Sequence, residues 1–454
     1  MKYPKNKTRK PRKNIRKHTR KNLWKEGSIN DFISSSKKTK SVLKQLDKLK
    51  LFDIKDQLQL YVPPSNQRNS GRCWMFSYLN LLRLSLISKY KLDPTFSLSA
   101  SYMTLWDKYE KCNYFLHKVS KYSNLSMDDI ENHLLFRNMI SDGGTWNMIQ
   151  NIINKYGIVP YEYMKESYHT VKTKEMNDIL FKILQQTSKQ IRSQSKEKHE
   201  LIIKRQMKSI YAFLVKCIGK PPKKIRSLNL SSKKEYTPKE FYETEIKSLS
   251  GNDVNTKVVL INVPHLEENQ YYTIPELNNM PHGKKMFYFN VSLKTMKTHI
   301  VKQILDKKGV WFGSDFDNFH YKGESLLDNK VFSYDTFIFK KKDLHLSKEN
   351  ALPYYQTNVN HAMVLNGFYH KPTSIKRPLY WNVENSHDSR MKSLSFDNSH
   401  GHMVMSDTWF DSFVVMAVVD EIYFEDDTLT SKIRDKDNVI ELPKWSNLGE
   451  LLFL

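Results

Sequence analysis

Asn66-Gln67-Arg68-Asn69-Ser70-Gly71-Arg72-Cys73-Trp74-Met75-Phe76-Ser77-Tyr78-Leu79-Asn80-Leu81-Leu82 is a polar, glycine-containing loop, then one cysteine, then an apolar run. Met75, Phe76, Leu79, Leu82 and Leu84 recur mostly at three- and four-residue steps, which predicts a helix with one core-facing stripe. Cys73 then stands at the helix N-terminus, where unpaired amides and aligned peptide dipoles favour negative charge and bias a thiol towards thiolate, the nucleophilic form. Position alone leaves a second reading open, a small buried hydrophobe, because free cysteine is among the most buried residue types. Gln67 adds chemistry to the first reading. A side-chain amide beside the Cys73 backbone N–H makes a two-donor oxyanion hole for a carbonyl turning tetrahedral, and Gly71 gives the chain room to turn.

Outward from this stretch, 454 residues with 39% hydrophobic content suit a large soluble core, and no apolar run approaches the roughly 18 residues a membrane helix needs. The charged N-terminus has no apolar stretch behind it, so a signal peptide is not expected. Three cysteines, Cys73, Cys112 and Cys217, argue against a disulfide framework and for a reducing compartment, so the expected location is cytoplasmic. No Cys/His spacing resembles a zinc site, and the chemistry proposed here requires neither metal nor organic cofactor. The net charge of +25 is uneven: residues 1–25 hold twelve Lys or Arg and no acid. Residues 1–27 read as a basic disordered arm, either a solvated tail or a phosphate-binding one able to contact nucleic acid.

Taken in order, Ser28 to Leu51 reads as one or two amphipathic helices, and Phe96 to Tyr102 offers capping serines ahead of an aromatic-rich helical segment. Ser141-Asp142-Gly143-Gly144-Thr145-Trp146 is a second loop feeding a helix. Met164 to Pro221 is Lys/Gln-rich and helical in period. From Lys257 the chain shifts to β-branched and aromatic runs, Val258–Val263, Met286–Val291 and Val310–Asp315, with Ser292 as a cap for a short helix between the last two. His361 opens an apolar strand after Asn358-Val359-Asn360, and Asn385 ends another, Leu379-Tyr380-Trp381-Asn382-Val383-Glu384. An imidazole at a strand start can face a cleft, and an amide can fix its tautomer without adding charge.

Gln-x-x-x-Gly-x-Cys-Trp-x-Phe-Ser resembles the nucleophile motif of papain-like cysteine proteases. Asn-Gln-x-Asn-Ser-Gly-Arg-Cys-Trp, His-Ala-Met and Trp-x-Val-Glu-Asn-Ser resemble its bleomycin hydrolase and bacterial aminopeptidase C branch. The resemblance implies an α+β fold of a helical lobe and a β-sheet lobe, with Cys73 as nucleophile, His361 as general acid/base, Asn385 as its orienter and Gln67 as oxyanion donor. Gly143 and Gly144 match the pair that hydrogen-bonds an extended substrate. His361 and Asn385 follow Cys73 by 288 and 312 residues, against about 130 to 150 in papain-type enzymes, so an insertion of roughly 150 residues is required. The expected organisation is 28–163 helical lobe, 164–255 helical insertion, 256–441 β-rich lobe and 442–454 a tail near the cleft, with Leu454 meeting the substrate's α-amine. A homohexamer and peptide substrates are further implications.

Two departures stand out. The family's Asn-Ser-Trp-Gly is Asn385-Ser386-His387-Asp388 here, and losing the tryptophan should let solvent compete for the His–Asn bond. The tail is also bulkier than usual, with a C-terminal strand packing its Leu and Phe as the plainer reading. The expected function is an intracellular cysteine aminopeptidase, against an endopeptidase or amidase on the same fold, or a catalytically weakened nucleic-acid-associated homologue.

Overall fold

A computed structural model describes residues 34, 36–60, 62–137, 140–229, 231–249, 251–321, 325–332, 344–386, 401–425 and 428–452. The basic arm, His387, Asp388 and Leu454 lie outside the described residues. No described helix is long and apolar enough to cross a membrane.

The nucleophile stretch forms the helix Cys73–Tyr90. It carries no single stripe: thirteen of its eighteen residues are buried, because it runs between a layer of helices and the main sheet. A helix enclosed on all sides needs apolar residues on all sides. Its few polar groups are tied down accordingly. Ser77 Oγ donates to the Ala362 carbonyl at 2.8 Å, and the Arg83 guanidinium donates to the carbonyls of Phe96 and Pro63, both at 2.7 Å.

The helical layer is led by Ala100–Lys121, capped by Ser99, whose Oγ accepts from the Tyr102 N–H at 3.1 Å. Two long helices follow in the segment expected to be inserted, Lys174–Arg192 and Lys196–Ile218, packing on it through Leu180, Leu184, Ile210 and Leu214. Helix Trp146–Tyr156 closes this layer.

Strands Lys257–Ile261, Val414–Asp420, Val310–Ser314, His361–His370, Pro378–Glu384 and His402–Ser406 lie side by side in that order, each antiparallel to the next. The cap at Ser292 and its helix Leu293–Leu305 occur as expected. At the N-terminal end the outcome differs from expectation. Helix Ser36–Leu46 stops early, and Lys50–Asp53 becomes a strand paired with Gly367–His370. The sheet captures Leu51 and Phe52 because Gly367 lets the two backbones approach: a Cβ there would sit 2.1 Å from the Phe52 carbonyl oxygen.

Candidate active site

Two elements deliver the reactive pair. Cys73 is the first residue of its helix, and His361 is the first residue of a central strand, opposite Ser314. The Ala362 N–H, next to His361, donates to Cys73 Sγ at 3.4 Å. Strand register does the rest. Pairing of Val364 with Glu384 sets Asn385 beside the start of the histidine strand, and His361 Nε2 lies 2.8 Å from Asn385 Oδ1. With an amide oxygen as partner, Nε2 is the donor, which leaves Nδ1 for the thiol proton.

Asn385 is itself held, its N–H donating to the Gly401 carbonyl at 2.8 Å and its Nδ2 to Met403 Sδ at 3.3 Å. Contrary to the expectation of a solvent-weakened bond, His361 is only 4% exposed and Asn385 2%. The Phe316 ring lies 4.7 Å from the imidazole, centroid to centroid, tilted at 46°. Phe316 and Met403 are thus two apolar groups against the His–Asn pair.

Gln67 is buried, and its amide is fully oriented. Nε2 donates to the Ser70 carbonyl at 2.5 Å, Oε1 accepts from Ser386 Oγ at 2.6 Å, and the backbone N–H donates to the Ser386 carbonyl at 2.9 Å. One Nε2 hydrogen stays available for an oxyanion. Through Ser386 the oxyanion candidate is bound to the neighbour of Asn385.

The glycine loop hangs on Asp142. Its carboxylate forms an ion pair with Lys108 at 2.6 Å, accepts from Thr173 and from Asn177 Nδ2, and meets the Gly71 N–H at 3.3 Å, while its carbonyl takes the Trp74 indole N–H at 2.7 Å. Burial pushes the Asp142 carboxyl up, but Lys108, Thr173 and Asn177 outweigh it and hold it well below the usual range. Lys111 donates to the Gly143 carbonyl, and a Cβ on Gly144 would fall 2.6 Å from the Trp74 ring. The residue at 144 therefore has to be glycine.

The thiol departs from expectation. Burial pushes Cys73 up to about 11, against the amides of Ala362, Trp74 and Cys73 itself, which pull it down. The helix terminus alone does not make a thiolate here, since the site is too dry. A thiolate at Cys73 therefore needs a base beside it, the part expected of His361.

Cys73, His361, Gly143, Gly144, Trp311 and Leu452 all line one cleft of about 280 Å³. Gln67, buried, is not among the residues that line it. Leu452 arrives from the tail, which is the short helix Asn447–Leu451 rather than a strand, capped by Ser446 and with Leu448 and Leu451 buried. The Leu451 carbonyl accepts from the Val359 N–H at 3.2 Å, two residues before His361.

This geometry agrees with what the chain resembles. The sequence profile of the Peptidase C1-like family matches residues 4–449. The chain belongs to that family. It is 32% identical over 402 residues to aminopeptidase C of Lactobacillus delbrueckii subsp. lactis and 31% identical over 405 residues to bleomycin hydrolase of Gallus gallus, covering 86% of each chain in both cases. The crystal structure of PepW from Lactobacillus rhamnosis HN001 superposes with a TM-score of 0.80 at 28% identity, over 94% of this chain and 93% of that one. The protein is a papain-like cysteine peptidase of the aminopeptidase C and bleomycin hydrolase type.

Sequence reasoning missed Asp142, Ser386 and Phe316. None of the three left a trace: Lys108, which pairs with Asp142, stands on a helix that also carries Asp107 and Glu110, so the sequence does not single out its partner.

Proposed function

We propose that Cys73 attacks the carbonyl of the first peptide bond of a substrate, with His361 taking the thiol proton at Nδ1 and passing it to the leaving amine. Asn385 keeps the imidazole in the required tautomer. The Gln67 amide and the Cys73 N–H receive the oxyanion, and water, activated by His361, cleaves the thioester. Gly143 and Gly144 run along the substrate backbone. Peptides with a free amino terminus are the substrate class.

The observation that carries the aminopeptidase reading is Leu452 in the wall of the catalytic cleft. On this reading the segment entering there limits how many substrate residues can precede the bond that is cut. Leu454, just beyond, is the group proposed to meet the α-ammonium. Removal of everything after Leu452 tests this. Cleavage of an aminoacyl fluorogenic amide should fall and cleavage of its N-blocked analogue should rise; unchanged selectivity would sink the reading.

Assembly into a hexamer and nucleic-acid binding through the arm are separate proposals. The arm's twelve Lys or Arg without an acid support the second. Deleting residues 1–25 should weaken binding to duplex DNA and flatten its dependence on salt.

A further inference from the structure

A second cavity, of about 370 Å³, opens beside the nucleophile helix and is lined by none of the residues assigned to catalysis. Leu81, Leu82, Leu84 and Val418 give it an apolar floor, and Lys257, Lys307 and Lys308 stand at its edge against Asp306. Lys257 and Lys308 converge on one carboxylate, Asp420, which is 3% exposed; Lys308 reaches it at 3.3 Å. Lys257, Lys307 and Lys308 outnumber Asp306 and Asp420 here, and burial together with Lys308 brings Lys257 down to about 7 against the opposing pull of Asp253. Trp146, 2% exposed, forms part of the wall, with its indole N–H enclosed behind it.

Ammonium groups beside an apolar floor describe the complement of one kind of molecule. We propose that this cavity binds a small organic monocarboxylate with an apolar body, its head between Lys257 and Lys308 and its body on the leucine floor. A zwitterionic amino acid fits poorly, because its ammonium group would stand among lysines.

Trp146 also supplies a reporter: its ring meets Trp311, a wall of the catalytic cleft, edge-on at 6.0 Å. The test uses the full chain with Cys73 alkylated by iodoacetamide, so that binding in the catalytic cleft is blocked, titrated with 3-phenylpropionate by calorimetry and tryptophan fluorescence. Saturable binding with a Kd below about 1 mM is expected. Loss of the charge in Lys308→Met should weaken it about tenfold, as should replacing the acid by 3-phenylpropionamide. Lys308 is partly exposed, so its variant should fold, checked by retained peptidase activity before alkylation. No saturable binding, equal affinity for the amide, or an unaffected Lys308→Met would overturn the proposal.

Discussion

The two banks of the catalytic cleft are held by different forces. On the helical bank, the glycine loop is fixed by charge: Asp142 joins Lys108, Thr173, Asn177, Gly71 and Trp74 in one network. On the sheet bank, the contact of His361 with Asn385 has apolar groups, Phe316 and Met403, packed against it. A charged network positions rigidly and fails abruptly when one member is removed, because its partner stays buried without compensation. An apolar enclosure tolerates change of shape but governs how strongly one hydrogen bond acts. The difference suits the tasks. In the proposed mechanism the helical bank holds a substrate still, while the sheet bank moves a proton.

The largest expected effect lies where the banks meet. Cys73→Ala or His361→Ala should each lower kcat by on the order of 10⁴- to 10⁶-fold, about as much as the double variant, since the two act as one unit. Alkylation separates their contributions. In His361→Ala the thiol is left at its raised value of about 11, so the thiolate fraction, and the rate with iodoacetamide, should rise tenfold per pH unit from 7 towards 11. The raised value means that thiolate is scarce below it. Wild type, with an imidazole to take the proton, should react faster at pH 6 to 7 and lose that steep slope. Superimposable profiles would show that His361 does not ionise the thiol.

The charged bank gives the next effect. Asp142→Ala leaves Lys108, 1% exposed, without its carboxylate, and should lower stability by about 3–5 kcal/mol. Urea unfolding checks this. Asp142→Ala with Lys108→Met should recover much of the loss, and substrate KM should stay raised because the glycine loop has lost its anchor. Full recovery of both would mean that the network stabilises the fold without positioning the loop.

The same contrast explains what was legible in the sequence. The nucleophile stretch could be read because its chemistry is contiguous: Gln67, Gly71 and Cys73 lie within seven residues, and a helix follows by period. The strand calls around Val258, Val310 and His361 succeeded because β-branched and aromatic runs need little context. The single stripe failed, since enclosure between two layers is a tertiary fact that a 3.6-residue period does not report. The strand at Lys50–Asp53 failed for a related reason: pairing with Gly367–His370 overrides local helical pattern. The thiolate argument counted the helix dipole and could not count burial. Asn385 was expected as the partner of His361, but the apolar supports of that pair left no sequence signal, since Phe316 and Met403 reach it only in the folded sheet.

Within the sheet bank, Asn385→Ala should cost roughly 1–3 kcal/mol of transition-state stabilisation, read as about a 10- to 100-fold fall in kcat with little change in KM. A loss confined to KM would instead place Asn385 in substrate binding.

The smallest effect is the most informative about the enclosure. Phe316 is buried against the imidazole, so Phe316→Leu keeps apolar volume while removing the flat face at 4.7 Å. If the ring strengthens the His361–Asn385 bond by excluding water, the variant should lose severalfold in kcat. Its dependence on Asn385 is the discriminating quantity. With the bond already absent in Asn385→Ala, adding Phe316→Leu should change little, giving a coupling of about 0.5–3 kcal/mol between the two positions. Additive losses would mean that Phe316 packs the strand and does nothing for the bond. In that case the dryness of the pair comes from the register of the sheet, and the apolar bank would be held by its backbone, as the charged bank is by Asp142.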